Sequence, residues 1–132
     1  MKKKSLPNSQ QKRKLLFDKN LNTERIISCG ELYLREGRLN EAAELFSRVA
    51  HEEGLAQLRA LALEQGDSFL YGVTSKGVEE GDDREAWEAL GKKAMELEKY
   101  SHAIRAFRKA EDQEALEAAE QALKEVVSVD KA

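Results

Sequence analysis

The sequence predicts an all-α chain of antiparallel helix hairpins, about seven helices, and three observations lead there. Its 132 residues include 36% charged and only 6% aromatic residues, eight glycines and a single proline, which suits helices joined by tight turns better than a sheet. From Asn22 onward the apolar residues recur at helical spacing, broken at short intervals by Gly, Asn and Asp. Breaks this short fold each helix back along the one before it.

Residues 1–21 read as a basic, largely disordered arm, because Pro7 sits among Lys, Ser, Asn and Gln with too little apolar surface to offset ordering entropy. A short helix is expected within it over residues 11–21, around Leu15, Leu16 and Phe17. Residues 22–132 form the helical domain. Asn22 or Thr23 caps a helix to about Glu36, and Gly37 ends it by entering the left-handed conformation cheaply. The next helix starts near Asn40 and turns Ala42, Ala43, Phe46 and Val49 inward. A third, about Glu53 to Gln65, carries Leu55, Leu58, Leu61 and Ala62 and stops at Gly66.

Asp67 or Ser68 caps a fourth helix, about Phe69 to Glu80, weakened by Gly72, Thr74 and Gly77. Asp82 or Asp83 caps the fifth, Arg84 to Glu98, and Ser101 starts the sixth, which runs through Ala110. Asp112 caps the last, about Gln113 to Val127, with Leu116, Ala119, Leu123 and Val126 on one face and Glu114, Glu117, Glu120 and Lys124 elsewhere.

Displaced by 61 residues, the chain overlies itself: Ile26, Cys29, Gly30, Ala42, Phe46 and Val49 fall on Trp87, Leu90, Gly91, Ala103, Phe107 and Ala110. This pattern resembles the tetratricopeptide repeat (TPR), whose hairpin of about 34 residues runs W, L, G, Y, then A, then F. Between the two good copies, Leu55, Leu58, Ala62 and Gly66 match a first helix, but Tyr71 and Ser75 stand where Ala and Phe belong. The resemblance implies three repeats over residues 24–127, the middle one degenerate, stacked as a short right-handed TPR-like solenoid with a C-terminal capping helix. Gly30, Gly91, Ala42 and Ala103 then let paired helices approach, and Trp87, Phe46 and Phe107 fill the space between hairpins.

Little in the chain suggests chemistry. His51 and His102 are the only histidines and are read as surface or capping side chains; no zinc spacing, phosphate loop or nucleophile motif occurs. Cys29 takes a small apolar packing position. Glu79, Glu80, Asp82 and Asp83 flank Gly81 and read as a solvated, helix-capping turn. The expectation is a non-enzyme with no cofactor and no metal. One cysteine, no export signal and no apolar run near the roughly 18 residues of a membrane span point to the cytoplasm.

The resemblance places a partner-binding groove on the first helix of each hairpin, at Glu24, Ile27, Glu31, Leu34 and Arg35, then Glu53, Leu63 and Glu64, then Glu85, Glu88, Lys92, Met95 and Glu96. Seven glutamates there oppose one Arg and one Lys. Ile27, Glu31, Glu88 and Lys92 occupy the positions where many members clamp acidic tails, so that ligand is disfavoured and a basic or amphipathic peptide or helix of another protein fits better. The arm itself qualifies: of 22 Lys and Arg and 25 Asp and Glu, residues 1–19 hold seven and one, leaving 15 against 24.

The function expected is therefore a protein-binding scaffold, monomeric or weakly dimeric, whose partner includes its own arm as a candidate. A different class, attachment of the arm to nucleic acid or anionic membrane, rests on about six excess charges and would be nonspecific and salt-sensitive. No specific nucleic-acid readout is expected.

Overall fold

The computed structural model describes residues 6, 8–11, 22–76 and 84–131, with side chains placed through Ser128, and is all-helical over them. Its helices are α1 (Thr23–Arg35), α2 (Leu39–Arg48), α3 (Glu52–Gln65), α4 (Ser68–Thr74), α5 (Arg84–Glu96), α6 (Tyr100–Ala110) and α7 (Gln113–Lys131). A further helical turn begins at residues 9–11, where composition alone predicts disorder. There the N–H groups of Asn8 and Gln11 donate to each other's side-chain oxygens at 2.9 and 2.8 Å, a reciprocal cap. The rest of the expected arm helix, and Gly77 to Asp83, lie outside the described residues.

Three helix starts are capped by residues that the sequence nominates. Asn22 Oδ1 accepts from the Arg25 N–H at 3.2 Å, Asp67 Oδ1 from those of Phe69 and Leu70 at 3.1 and 3.0 Å, and Asp112 Oδ1 from that of Ala115 at 3.1 Å. Asn40, in contrast, lies inside α2, which starts at Leu39 behind Arg38 with no side-chain cap.

One turn geometry closes α1, α2, α3, α5 and α6. A residue with positive φ follows each helix, and the next N–H reaches back five residues: Arg38 to Tyr33 (2.9 Å), His51 to Phe46 (2.9 Å), Asp67 to Ala62 (2.9 Å), Lys99 to Ala94 (2.8 Å) and Asp112 to Phe107 (3.1 Å). Glycine fills the left-handed position twice, as Gly37 (φ 76°) and Gly66 (φ 64°), whereas Ala50, Glu98 and Glu111 adopt it at 50°, 59° and 57°. That is why α5 ends at Glu96 and α6 begins at Tyr100: Glu98 is in the turn and not in the helix.

The fold divides into two compact units, residues 1–58 and 59–132, with the boundary inside α3. In the first, Ile26, Gly30 and Tyr33 of α1 face Ala42, Ala43, Leu45 and Phe46 of α2. The Phe46 ring has two bare backbones at its edges. A Cβ on Gly30 would stand 2.8 Å from Phe46 Cδ1, and one on Gly54 would stand 2.6 Å from Cδ2. Cys29 and Val49, predicted inside, are only half-buried.

The second unit repeats the interlock. Trp87, Leu90, Gly91 and Ala94 of α5 face Ala103, Ala106, Phe107 and Ala110 of α6, and a Cβ on Gly91 would stand 2.7 Å from Phe107 Cδ1. Helix α7 covers Phe107 with Ala119 and the flanking Ala115 and Leu116. Its apolar stripe outruns that cover, because Val126 is 45% exposed. Tyr71 of α4 meets Trp87 edge-on, the ring centroids 4.7 Å apart.

The turns set the register of the middle hairpin. With Gly66 equivalent to Gly37, Arg59 takes the place of Gly30 and Ser75 that of Phe46. Here the large and small partners have changed sides. Arg59 is 9% exposed and its Nη1 donates to the Thr74 carbonyl at 2.9 Å. The Thr74 hydroxyl turns back to the Leu70 and Tyr71 carbonyls at 2.8 and 3.2 Å, while the Ser75 hydroxyl is buried without a hydrogen-bond partner among the described residues. The fourth helix consequently stops at Thr74 instead of continuing to about Glu80: a buried cation binds its end, where a cation is favoured, and its last turn holds Gly72 and Thr74, poor helix formers.

Candidate functional site

In the first unit, the burial of Ile26, Gly30 and Tyr33 turns a second stripe of α1 outward. Glu24, Glu31 and Arg35 are exposed, and Ile27 and Leu34 are half-buried between them. Glu53, at the start of α3, is exposed as well. In the second unit α5 has the same layout: Glu85, Lys92 and Glu96 are exposed, with Glu88 and Met95 half-buried. On the C-terminal part of α3, Leu63 is half-buried and Glu64 exposed.

These side chains are not equally available. Glu24, Glu31, Glu53, Glu64 and Glu88 form no ion pair or side-chain hydrogen bond among the described residues, whereas Glu96 lies 3.6 Å from Lys93. Met95 packs beside Ala94, Ala103, Phe107 and Ala119. Each stripe thus sets carboxylates beside apolar side chains and can attract cations.

Both histidines serve the fold. His51 rests on Phe46 with ring centroids 5.2 Å apart. His102 caps a neighbouring helix instead of its own: its Nδ1 accepts the Ser68 N–H at 3.0 Å and lies 2.8 Å from Ser68 Oγ. A cleft of about 500 Å³ opens between the start of α6 and the end of α7, lined by Tyr100, Ser101, Leu123 and Val126 among others. Of its charged groups, Lys99 donates to the Gln65 carbonyl at 2.7 Å. Among the described residues, no group of three His, Cys, Asp or Glu side chains is placed to hold a metal, and no helix is long and apolar enough to cross a membrane.

Sequence reasoning overlooked one surface. Phe69 of α4 is 57% exposed, with the Arg105 guanidinium 4.5 Å above its ring and the His102 ring edge-on at 5.3 Å. Val73, a turn further along α4, is also exposed. The available signal was compositional: residues 68–74 and 100–110 contain no Asp or Glu.

No family model, curated protein or solved structure matches this chain.

Proposed function

We propose that the chain is a non-catalytic protein-interaction scaffold of TPR-like hairpins that binds a basic, amphipathic peptide or helix of a partner on an outward stripe of the kind that α1 and α5 each present. One observation carries the reading: α1 and α5, 61 residues apart, repeat one pattern of exposed and half-buried positions, in which exposed Glu24 falls on exposed Glu85 and half-buried Leu34 on half-buried Met95. The carboxylates of Glu31 and Glu88 are left open to a ligand, since neither forms an ion pair or side-chain hydrogen bond among the described residues. The TPR-like assignment draws support from the hairpin turn at 33–38 and 94–99, and from the Gly30–Phe46 and Gly91–Phe107 interlocks at the same offset.

A suitable probe is a labelled peptide of residues 8–21, which contains Lys12, Arg13, Lys14 and Lys19 around Leu15, Leu16 and Phe17. Fluorescence anisotropy with a chain lacking residues 1–21 should detect binding that weakens with salt. The Glu31→Lys, Glu88→Lys double variant should bind about fivefold or more weakly, as expected from two solvent-accessible pairs each contributing up to about 1 kcal/mol and then reversed. Its melting temperature should hardly move. Unchanged affinity in that variant would reject the reading.

A further inference from the structure

Helices α4 and α6 stand apart electrostatically from α1, α2, α3, α5 and α7, each of which carries Glu. Beyond residue 19 the sequence has 24 acidic residues against 15 basic, yet residues 68–74 and 100–110 contain no carboxylate at all. On the outer side of α6, away from buried Ala103, Ala106, Phe107 and Ala110, lie exposed Arg105, Arg108 and Lys109. None of the three side chains forms an ion pair or hydrogen bond among the described residues. Beside them on α4, Phe69 and Val73 are 57% and 44% exposed, one helical turn apart.

The two helices meet at this surface. The Arg105 guanidinium stacks over Phe69 at 4.5 Å and His102 abuts the same ring. Stacking holds the guanidinium plane by its face and leaves its N–H fork open, the edge that grips a carboxylate through two parallel hydrogen bonds. An aromatic and an arginine fixed against each other, with an apolar neighbour and two further cations, resemble the anchor cluster of an interface more than a solvated helix face.

We infer that this α4–α6 face docks an acidic amphipathic peptide, with carboxylates on Arg105, Arg108 and Lys109 and an apolar side chain against Phe69 and Val73. Charge complementarity selects that occupant. A nucleic acid would meet the same three cations but also the acidic excess of the chain, and Arg105 already covers a Phe69 face on which a base would stack. The surface shares no residue with the stripes of α1, α3 and α5, so it stands or falls separately from them.

The test uses the full chain in fluorescence polarisation with a labelled amphipathic peptide of Leu and Glu, its Lys-for-Glu counterpart and a short DNA duplex. The acidic peptide should bind more tightly than the other two and lose affinity as salt rises. Arg105→Glu and Phe69→Ala should each weaken it by about tenfold, the effect of removing an interface anchor. Both variants should keep the parent's circular dichroism, because both side chains are exposed, and Glu31→Lys should leave this binding intact. Equal binding of the acidic and basic peptides, or indifference to both substitutions, would overturn the inference. So would DNA binding, or self-association of the chain, that Arg105→Glu abolishes while the acidic peptide fails to bind.

Discussion

Residues whose role is backbone geometry can be told apart here from those whose role is space. Gly37 has φ 76° and open surroundings, so Gly37→Ala tests the left-handed conformation alone and should cost about 1 kcal/mol. Glu98 is the reverse experiment. At φ 59° it bears the same strain at the equivalent turn, and Glu98→Gly should raise stability by about 0.5 kcal/mol once glycine's greater unfolded-state freedom is subtracted. Urea unfolding of both variants checks the pair of signs. Gly91 is a matter of space, because any Cβ there runs into the Phe107 ring. Gly91→Ala should therefore cost about 1–3 kcal/mol by overpacking, and Phe107→Ala about 3–5 kcal/mol by leaving a void. Thermal unfolding that barely shifts in either variant would remove both residues from the core.

Among the helices, the middle hairpin departs most from its neighbours, and its departure is coupled. A glycine opposite a phenylalanine in α1–α2 and α5–α6 becomes, between α3 and α4, an arginine opposite a serine. Arg59 fills the volume from one side and takes up the Thr74 carbonyl, so α4 can stop early without leaving that group unsatisfied. Arg59→Gly should destabilise by about 1–3 kcal/mol through the unpaired buried carbonyl and the void. Ser75→Phe should also destabilise, by crowding the arginine. Combined, the two should recover at least about 1 kcal/mol relative to the sum of the singles, a coupling that a double-mutant cycle measures directly. Strict additivity would mean that the two positions do not exchange volume.

At the scale of the whole molecule, stability and binding should separate by residue class. Trp87, Gly91, Ala103 and Phe107 are the conspicuous residues of the sequence, and all four are buried between helices. Substituting them should lower the fraction folded, while binding per folded molecule stays constant. Charge reversals at Glu31 or Glu88 should do the opposite. Affinity normalised to folded protein, measured by circular dichroism and anisotropy on the same samples, distinguishes the two classes. A packing variant that stays folded yet loses affinity would place a core residue in the binding surface.

Much of this was legible in one dimension, because helix periodicity and capping are local. The seven helices, Asp112 as a cap with Asn22 and Asp67 among the nominated ones, and the stops at Gly37 and Gly66 follow from spacing and side-chain chemistry in the sequence alone. The sequence set Phe46 and Phe107 between hairpins, whereas each ring closes on a glycine of its own hairpin, Gly30 and Gly91. The outward stripes of α1 and α5 were legible for the same reason, as the complement of an inward one.

What only the tertiary structure decided depends on residues distant in sequence. The left-handed turns at Ala50, Glu98 and Glu111 carry no glycine to announce them, so packing of the flanking helices has to impose them. His102 became a cap because α4 delivers Ser68 to it, and Phe69 became an exposed, cation-stacked ring because α6 brings Arg105 there. Periodicity can say which face of a helix turns inward. It cannot say which charged side chain another helix will place against the face left outside.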